Sequence, residues 1–500
     1  MAQQPNRVKH LHSDKMQSAP WLYEGNLVYS GRVAFEHNGA QMFADTVILY
    51  QLENRFHARG NVRMVKDRNV LTARRLEYDG NSKIANAFGN VVMRDPQQTL
   101  YTEKLTYDRN QNIAYYDTGG TIVSKDNTIN SVVGIYNLTT GENTFDSNVQ
   151  ISNPDYTITS KNVKHSSSGD VMEFFDNTFI QSKRNPRQFI TTTRGRYYLN
   201  RKVAYLEERS TVHSDGKKLT ADNIFYEQES GYGRATGDVV LEDPEERRYL
   251  TGNFGEAFEK LDSAYVTGNA VAVKAFERDS LYIHADTLMA SKRDEQSLIR
   301  AFHGARFFKS NLQGKADSIA FQETTGLMNF YKDPIVWSGY RQITGDTITV
   351  FTNPERERLD SIHVRQNAFA ISRKDSITQT EFHQLKSRIM MGLFVNEDLD
   401  WVQAEGNAQS LFYMEERDEE QGTAELMGIN RSDCGIIEAD LEERDIHVIS
   451  CRIDADSKFY PPSRFPDDER YLPDFAWYED MRPKRWQDIL IVETPDNSLP

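Results

Sequence analysis

The chain has 500 residues, a formal net charge of −15 at pH 7 and a hydrophobic content of 38%. This acidity argues against a nucleic-acid partner, because phosphate binding needs clustered Lys and Arg, and it disfavours electrostatic attachment to an anionic membrane. No run approaches the roughly 18 apolar residues of a membrane-spanning helix. Residues 1–20 contain no apolar core, so we expect no secretory signal within them.

A short pattern returns along the chain about every thirty residues. It begins with a Gly-Asn type of turn, continues with a short alternation of apolar and polar residues, and ends in a longer alternation after a second turn. Alternation of this kind is typical of strands with one buried face, so each copy predicts a turn, a short strand, a turn and a longer strand. The copies begin at Gly60, Gly89, Gly119, Ser147, Asp176, Arg209, Gly237, Gly268, Gly304, Asp333, Gln366 and Gly406.

The repeats divide the chain into an array and two ends. We interpret Glu415–Gly422, a run of charges, as a solvated loop that ends the array. Glu381–Leu393 has weak helical spacing and could equally form a pair of strands. The predicted parts are residues 1–20, a flexible segment or first edge strand; 21–165 and 166–414, the N-terminal and C-terminal parts of the array; and 423–500, a small β hairpin unit with a tail rich in proline and aromatic residues that packs as an irregular cap.

The longer strand of each copy carries a small residue before a polar one, as in Ile283-His284-Ala285-Asp286 and Leu312-Gln313-Gly314-Lys315-Ala316-Asp317. A small residue inside a strand suggests a β-bulge or a close approach of two backbones. The acidic residues of this pattern occur once per repeat. They therefore resemble a structural position more than a catalytic pair of carboxylates.

The two cysteines, Cys434 and Cys451, flank a predicted hairpin that turns near Glu442-Glu443. Pairing Ile437 with Val448 would place the two thiols opposite each other, within the range of a disulfide. Two buried reduced cysteines are the alternative. An oxidising compartment would favour the disulfide.

The chain lacks the motifs of common catalytic and cofactor sites. There is no glycine-rich phosphate loop, no metal-ligand spacing of Cys and His, and no nucleophile elbow. His10 and His12 could bind a metal ion, but we interpret them as part of a loose terminus. We therefore predict that the protein is not an enzyme and has no cofactor and no metal site.

The apolar positions that follow the repeat starts are the candidate functional residues. For any one of them, an ordinary core position is the simpler interpretation; as a set they would line a continuous apolar trough able to hold acyl chains. Val271 with Val273, and Phe369 with Ile371, fall on the other phase, which predicts either a bulge there or a repeat start misplaced by one residue. The predicted inward residues are Val33, Phe35, Val62, Met64, Val91, Met93, Val149, Ile151, Val239, Leu241, Ile335 and Trp337.

The repeat resembles a known one. Gly-Asn-Val, a turn and Leu-x-Ala-x-x-Leu-x-Tyr, carried best by Gly60–Asp79, Gly89–Asp108 and Gly237–Tyr249, is similar to the OstA-like repeats of the lipopolysaccharide transport proteins LptA and the N-terminal part of LptD. The resemblance extends over about Val28–Tyr413. The long array with its Tyr-Pro-Pro tail looks like the large OstA-like proteins of Bacteroidetes-type bacteria.

The resemblance implies an all-β fold: an elongated, twisted, two-sheet β-jellyroll, open along one edge, of about twelve units of about thirty residues with a small C-terminal cap. It also implies a periplasmic protein that carries lipopolysaccharide with the acyl chains of lipid A inside. Its partners would be other Lpt-type jellyroll proteins, or a second copy, bound end to end through edge strands, and it would be associated with the transport complexes of the inner and outer membranes.

Two other functions remain open from the sequence. One is a solenoid enzyme that processes polysaccharides, and the other is a β-repeat scaffold or adhesin. Cavity geometry discriminates the scaffold from the lipid carrier, because a trough open between the sheets favours lipid and a packed interior favours a scaffold.

Overall fold

The computed structural model describes residues 7–166, 170–293, 296–353, 358–374, 380–396, 398–418, 423–442 and 445–490. The chain divides into two compact units, Met1–Glu229 and Ser230–Pro500. Most described residues of both units are in antiparallel strands joined by short turns, which confirms the prediction of an all-β fold. The boundary predicted between residues 165 and 166 falls inside the first unit.

The first unit contains a 3-10 turn at Tyr23–Gly25 and the strands β1 (Lys9–His12), β2 (Lys15–Gln17), β3 (Leu27–His37), β4 (Ala40–Tyr50), β5 (Arg55–Lys66), β6 (Asn69–Asp79), β7 (Ile84–Arg94), β8 (Gln98–Asp108), β9 (Ile113–Tyr116), β10 (Gly120–Ser124), β11 (Thr128–Ser131), β12 (Val133–Asn137), β13 (Glu142–Ser152), β14 (Tyr156–Ser166), β15 (Val171–Phe174), β16 (Thr178–Ser182), β17 (Phe189–Thr192), β18 (Arg194–Tyr198), β19 (Val203–Glu207), β20 (Ser210–Ser214), β21 (Lys217–Ala221) and β22 (Asn223–Glu227).

The second unit contains the strands β23 (Tyr232–Asp243), β24 (Arg248–Phe258), β25 (Ser263–Ala275), β26 (Ser280–Arg293), β27 (Gln296–Lys309), β28 (Leu312–Gln322), β29 (Leu327–Tyr331), β30 (Ile335–Ser338), β31 (Arg341–Thr344), β32 (Thr347–Asn353), β33 (Arg358–Arg373), β34 (Phe382–Val395), β35 (Asp398–Asp418), β36 (Thr423–Glu442), β37 (Asp445–Arg452) and β38 (Asp456–Tyr460). Its 3-10 segments are Glu259–Leu261, Pro462–Arg464, Asp467–Glu469, Glu479–Met481 and Trp486–Leu490.

The Gly-Asn element that begins each repeat is a bulge inside a long strand, so the prediction of a turn between two strands is wrong. In β5, Gly60 and Asn61 both have positive φ, 73° and 42°, and together they face the single residue Arg74 of β6. Two residues opposite one make a β-bulge, which bends the strand. Glycine and asparagine suit this place because they tolerate left-handed backbone.

The same bulge recurs in both units. Paired positive φ values and a break in register occur at Gly31-Arg32, Gly89-Asn90, Ser147-Asn148, Gly237-Asp238, Gly268-Asn269, His303-Gly304, Gln366-Asn367 and Gly406-Asn407.

The small residue of the longer strand lies directly across from the first residue after a bulge. Ala73 pairs with Val62, and Ala285 pairs with Ala270. A bend brings the two backbones close at this point and leaves little room for a side chain, as the sequence predicted. Of the recurrent acids, Asp45 accepts a hydrogen bond from the bulge residue Asn61 (2.9 Å), which is a structural role.

The bulges divide each unit into two layers. Strand β8 pairs through residues 98–102 with β10 and through residues 106–108 with β9. The first layer continues through β12, β15, β18, β19 and β22, and the second through β11, β16, β17, β20 and β21. Both halves of a bulged strand bury side chains, as Phe56 and Met64 of β5 do, so the two layers enclose a common interior.

The second unit repeats this plan. Strands β23, β25 and β27 carry bulges and, with their partners β24, β26 and β28, span both layers. After them, β29 and β32 continue the first layer while β30 and β31 continue the second, and both layers rejoin on β33. Residues 381–393, left open between helix and strand, lie mainly in strand β34. The pairing of β35 with β36 reaches Asp418, so the predicted loop 415–422 is wrong for 415–418; residues 419–422 lie outside the described residues.

A disulfide joins Cys434 of β36 to Cys451 of β37, with their Cα atoms 5.8 Å apart. The predicted register of this hairpin is wrong, because Val448 pairs with Asp440 and Cys451 pairs with Ile437. A break in register between Asp440 and Leu441 accounts for part of the shift. The rest arises because the chain reverses one residue later than the sequence suggested.

Candidate functional site

The predicted inward residues of the first unit lie in one packed core. Val33, Phe35, Val62, Met64, Val91, Met93, Val149 and Ile151 all belong to a single cluster of buried apolar side chains, and none is more than 4% exposed. All eight side chains therefore belong to the apolar core of the first unit.

The interior of the first unit is filled where these residues meet. Phe35 stacks on Phe56, with ring centroids 5.8 Å apart, and Phe56 contacts Tyr78. The cavity beside them measures about 10 Å³, room for one water molecule at most. Phe35, Phe56 and Met64 therefore leave no space for an acyl chain at this place. A cavity of about 1150 Å³ beside the bulge at Ser147-Asn148 is lined mainly by Ser, Thr and Asn side chains.

Hydrogen bonds between strand ends, away from the bulges, connect the two layers of the first unit. Arg109, at the end of β8 in the first layer, is buried and donates to the hydroxyl of Tyr78 in the same layer (2.6 Å). It also donates to the carbonyl of His37 in the second layer (3.1 Å). The backbone N–H of Val8 donates to Asn54 Oδ1 (3.0 Å) in the same way. Burial raises the pKa of Tyr78, so its hydroxyl keeps its proton.

At two of its bulges the second unit has small residues where the first unit has large ones. Val239 is buried and Leu241 is half-buried, but the inward positions after the bulges at Gly268 and Gln366 are alanines: Ala270, Ala272, Ala368 and Ala370. Both bulges lie where the repeat predicted them. Val271, Phe369 and Ile371 are therefore out of phase because they lie on the outer face of the sheet, and neither an extra bulge nor a misplaced start explains them.

Two predicted inward residues, Ile335 and Trp337, also face outward, which corrects the sequence analysis. The bulge before them is Lys332-Asp333, so the repeat starts one residue earlier than predicted. Val336 takes the inward position between Gly314 and Ile343, and Trp337 lies between Gln313 and Gln342 on the outer face. The starts predicted at Arg209 and Gly304 are late by one residue for the same reason.

The C-terminal tail covers this outer face. Leu472 is buried in a cluster with Phe369, Ile371 and Leu411, and Phe475 and Trp477 pack against the same cluster. Farther along, Trp486 stacks on Tyr282 of β26, with ring centroids 5.2 Å apart. These apolar residues on the outer face of the second unit therefore pack against the protein's own C-terminal tail, residues 462–490.

Two fully buried glutamines hold the tail by its backbone. Gln384 donates to the carbonyl of Arg470 and accepts from the N–H of Leu472, both at 2.8 Å. Gln342 donates to the carbonyl of Ala476 (2.7 Å) and accepts from the N–H of Tyr478 (2.6 Å). Each side-chain amide thus pairs with two residues of the tail as a neighbouring strand would. Sequence analysis missed them, because a glutamine on the outward phase of a strand usually lies in solvent.

A cavity of about 700 Å³ lies between the layers of the second unit. Its apolar lining is formed by Phe276, Leu281, Phe307, Leu312, Phe321, Met328, Val350 and Leu359. A smaller cavity of about 270 Å³, lined by Ile343, Ala370, Leu385 and Phe412, adjoins it and shares Arg341, Arg373 and Lys374 with it. The volume of the larger cavity is within the range of small-molecule sites.

Charged side chains surround these cavities. Arg248 donates to Glu323 at 2.6 Å, and Lys374 forms ion pairs with Glu415 (3.1 Å) and Glu381 (3.2 Å). Burial opposes the charge of Lys374, but its hydrogen bonds to the two glutamates outweigh burial and raise its pKa. Burial lowers the pKa of His383 to about 4, helped by the nearby cations Lys374 and Arg341, so this ring is neutral at pH 7.

The described residues show neither of two other common kinds of site. No cluster of three His, Cys, Asp or Glu side chains in the described ranges is arranged to hold a metal ion. The described part of the chain also has no helix whose length and apolar character would let it cross a membrane.

Comparison with known proteins agrees with the repeat. Residues 5–161 match the model of a family described as OstA-like protein. This region of the chain is OstA-like. The match covers most of the bulged strands of the first unit, including the repeats at Gly60 and Gly89 that carry the resemblance best.

One solved structure with which this chain shares similarity is the crystal structure of LptH, described as the LptA homologous periplasmic component of the conserved lipopolysaccharide transport device from Pseudomonas aeruginosa. The two are 17% identical, and the match covers 21% of this chain and 74% of that chain with a TM-score of 0.19. Among curated proteins, none matches significantly.

Proposed function

We propose that this OstA-like protein is a periplasmic, non-enzymatic carrier that binds lipopolysaccharide and shields its acyl chains between the layers of the second unit on the way to the outer membrane. One observation carries the proposal: the cavity of about 700 Å³ lined by Phe307, Phe321 and Met328. Removing apolar acyl surface from water is favourable by about 25 cal/mol per Å². A carrier without such a cavity would leave this surface exposed during transport.

Two further features support the proposed location and partners of the carrier. The disulfide between Cys434 and Cys451 fits an oxidising compartment such as the periplasm. Strands β37 and β38 both pair with β36 near the end of the array. Edge strands of this kind can bind another jellyroll protein of the Lpt type, or a second copy, by strand addition.

Binding of lipopolysaccharide by the purified protein tests the proposal. We expect lipopolysaccharide to co-elute with the protein in gel filtration, and Met328→Trp, which fills the cavity, to reduce the bound amount several-fold. Tyr249→Trp is the matched control, because Tyr249 lies on β24 of the same unit and is 42% exposed. Equal binding by the wild type and both variants would contradict a site in this cavity.

A structural role is the second candidate, and the tight packing around Phe35 and Phe56 in the first unit favours it. If the whole protein were a scaffold, the cavity of the second unit would serve no ligand. The wild type would then elute without lipopolysaccharide at any protein concentration tested.

A further inference from the structure

The cavity of about 1150 Å³ in the first unit, which we call the polar cavity, lies beside the bulge at Ser147-Asn148. Ser, Thr and Asn side chains form most of its lining, and its apolar residues are Val149 and Phe179. Small-molecule sites usually measure about 300–1,000 Å³, so the polar cavity has room for an extended ligand. Its lining favours a ligand that forms many hydrogen bonds and has little apolar surface.

Four lining side chains form one row across the second layer. Gln150 of β13 pairs with Thr159 of β14, Thr159 pairs with Phe179 of β16, and Phe179 pairs with Thr191 of β17. Gln150, Thr159 and Thr191 are exposed and Phe179 is half-buried, so the row lies on the outer face. Neighbouring strands are about 4.8 Å apart, which makes the row about 14 Å long. It offers an elongated ligand an aromatic ring with hydroxyl and amide groups on both sides.

Other aromatic rings support Phe179 from the side. The ring centroids of Phe179 and Phe189 are 5.4 Å apart, and Phe189 stacks on His213 at 4.1 Å. The three rings lie on the adjacent strands β16, β17 and β20, and they form a continuous platform. The C–H face of a sugar ring packs well on such an aromatic surface. Sugar hydroxyls both donate and accept hydrogen bonds, as the hydroxyl of Thr and the amides of Asn and Gln also do.

The charges around the polar cavity give no excess of cations. Lys161 and Arg209, the cations of its described lining, each lie 3.4 Å from the carboxylate of an aspartate. The acids that border the lining are Asp146, Asp176, Glu208 and Asp222. A ligand rich in phosphate needs clustered cations that acids do not neutralise, so a neutral ligand fits the polar cavity better.

The strands beneath the row do not offer an edge to a peptide. Strands β14, β16 and β17 each pair on both sides, so a peptide cannot join them by strand addition. In the second unit, Gln342 and Gln384 on the outer face of the same layer donate to carbonyls of the tail. In the first unit, the exposed Gln150, Thr159 and Thr191 leave this face open to a ligand.

We propose that the polar cavity of the first unit binds a neutral glycan of several sugar units. One sugar ring packs on Phe179, while Gln150, Thr159 and Thr191 exchange hydrogen bonds with the hydroxyls of this sugar and its neighbours. The site is distinct from the apolar cavity of the second unit and does not rest on the proposed carrier function. A free polysaccharide and the saccharide part of a glycolipid share this hydroxyl-rich chemistry.

Affinity electrophoresis of the full chain in gels that contain a neutral polysaccharide tests the proposal. The gels contain dextran, mannan, galactomannan or laminarin, and we expect at least one of them to retard the wild type. Phe179→Ala should weaken this binding about tenfold, the size of one aromatic contact. Thr191→Val keeps the shape of an exposed side chain and removes one hydroxyl, so it should weaken binding a few-fold and decides the test if Phe179→Ala does not fold.

Tyr205→Ala is the matched control, because Tyr205 is an aromatic residue on the first layer of the same unit and is 40% exposed. Its retardation should equal that of the wild type. Retardation of the wild type by none of the four gels, or by an acidic polygalacturonate gel alone, would overturn the proposal. Equal retardation of the wild type, Phe179→Ala and Thr191→Val would show that the glycan binds elsewhere, which would also overturn it.

Competition then distinguishes the two sources of the glycan. A soluble hexasaccharide of the retarding polysaccharide and the lipid-free glycan released from lipopolysaccharide are each added to the protein before electrophoresis. Restored mobility supports the proposal, and the competitor effective at the lower concentration identifies the source. Restoration by neither would contradict binding of a short glycan in this cavity. Since neither competitor has an acyl chain, failure here leaves the carrier function to its own test, the co-elution of lipopolysaccharide.

Discussion

The two units share one plan of bulged strands and differ in what fills it. After its bulges the first unit has pairs such as Val62 with Met64, which pack to leave a cavity of about 10 Å³ beside them. The second unit has pairs such as Ala368 with Ala370, of which Ala370 lines the cavity of about 270 Å³ beside the one of about 700 Å³. The first unit also has a cavity, of about 1150 Å³ around Val149, but Ser, Thr and Asn side chains form most of its lining. The two units therefore differ in the apolar character of the space they enclose.

The outer faces differ in a related way. In the second unit, Phe369 and Ile371 face outward beneath the tail, next to alanines that face inward. Part of the apolar surface of these strands is thus buried by the tail instead of by the opposite layer. The second unit is therefore stabilised in part by contacts on its outer face.

The largest expected difference comes from truncating one methionine in each unit. Met93 in the first unit and Met328 in the second are both nearly fully buried, at 1% and 4% exposure. Met93→Ala should lower the free energy of unfolding by about 4 kcal/mol, because it opens a void in a packed core. Met328→Ala should cost about 2 kcal/mol, because its side chain already borders a cavity. Hydrogen exchange within each unit measures both, and equal losses would refute the contrast.

Acid should weaken the second unit through His383. Its folded pKa of about 4 lies below the ordinary value of 6.5, so the unfolded chain takes up a proton first as the pH falls. Stability is therefore complete above pH 6.5 and is lost between pH 6.5 and 4, by about 3 kcal/mol in all. His383→Gln should flatten this part of the pH profile in denaturant unfolding. An unchanged profile would show that His383 titrates normally.

Enlarging one inward alanine in each unit should change the stability of the two units by different amounts. Ala87→Leu in the core of the first unit, where Ala87 is fully buried, should overpack it and cost about 2 kcal/mol. Ala370→Leu extends into the smaller cavity of the second unit and should be nearly neutral. Thermal unfolding of the two variants compares them directly, and a large loss for Ala370→Leu would mean that the cavity is not available space.

The smallest expected effect concerns the tail. Gln342→Leu leaves the carbonyl of Ala476 and the N–H of Tyr478 without their partner, at a cost on the order of 1 kcal/mol. Limited proteolysis should cut residues 470–482 faster in this variant. Gln150→Leu, at an exposed position of the first unit, is the control. Identical cleavage of the tail in both variants would show that the hydrogen bonds of Gln342 do not keep the tail in place.

The repeat made the fold predictable from the sequence, whereas the contrast between the units was not predicted. Its period and alternation indicated the strands, and the small residues such as Ala73 indicated the bulges. The nature of the Gly-Asn element was missed, because a glycine followed by asparagine is equally typical of a turn between strands. At Lys332-Asp333 no glycine marks the bulge, so the predicted start of the repeat is one residue late. Ile335 and Trp337 were therefore predicted on the wrong face.

The site itself was only partly predictable. Eight inward residues of the first unit were found by periodicity, but periodicity reports which side a residue faces and not whether the space is filled. The inward alanines of the second unit were not predicted, because the apolar pattern of the repeat is defined by large side chains. The ion pair of Arg248 with Glu323 joins residues 75 apart in sequence, and no local pattern predicts such a contact.

Photo-crosslinking from one phenylalanine in each unit tests the central claim most directly. Phe56 in the core of the first unit and Phe321 at the cavity of the second are both buried, at 2% and 7% exposure. Each is replaced by benzoylphenylalanine, and the purified protein is irradiated with lipopolysaccharide. A lipopolysaccharide adduct from position 321 and none from position 56 is the predicted result. Equal adducts from both positions, or an adduct from position 56 alone, would contradict the assignment of the lipid to the second unit.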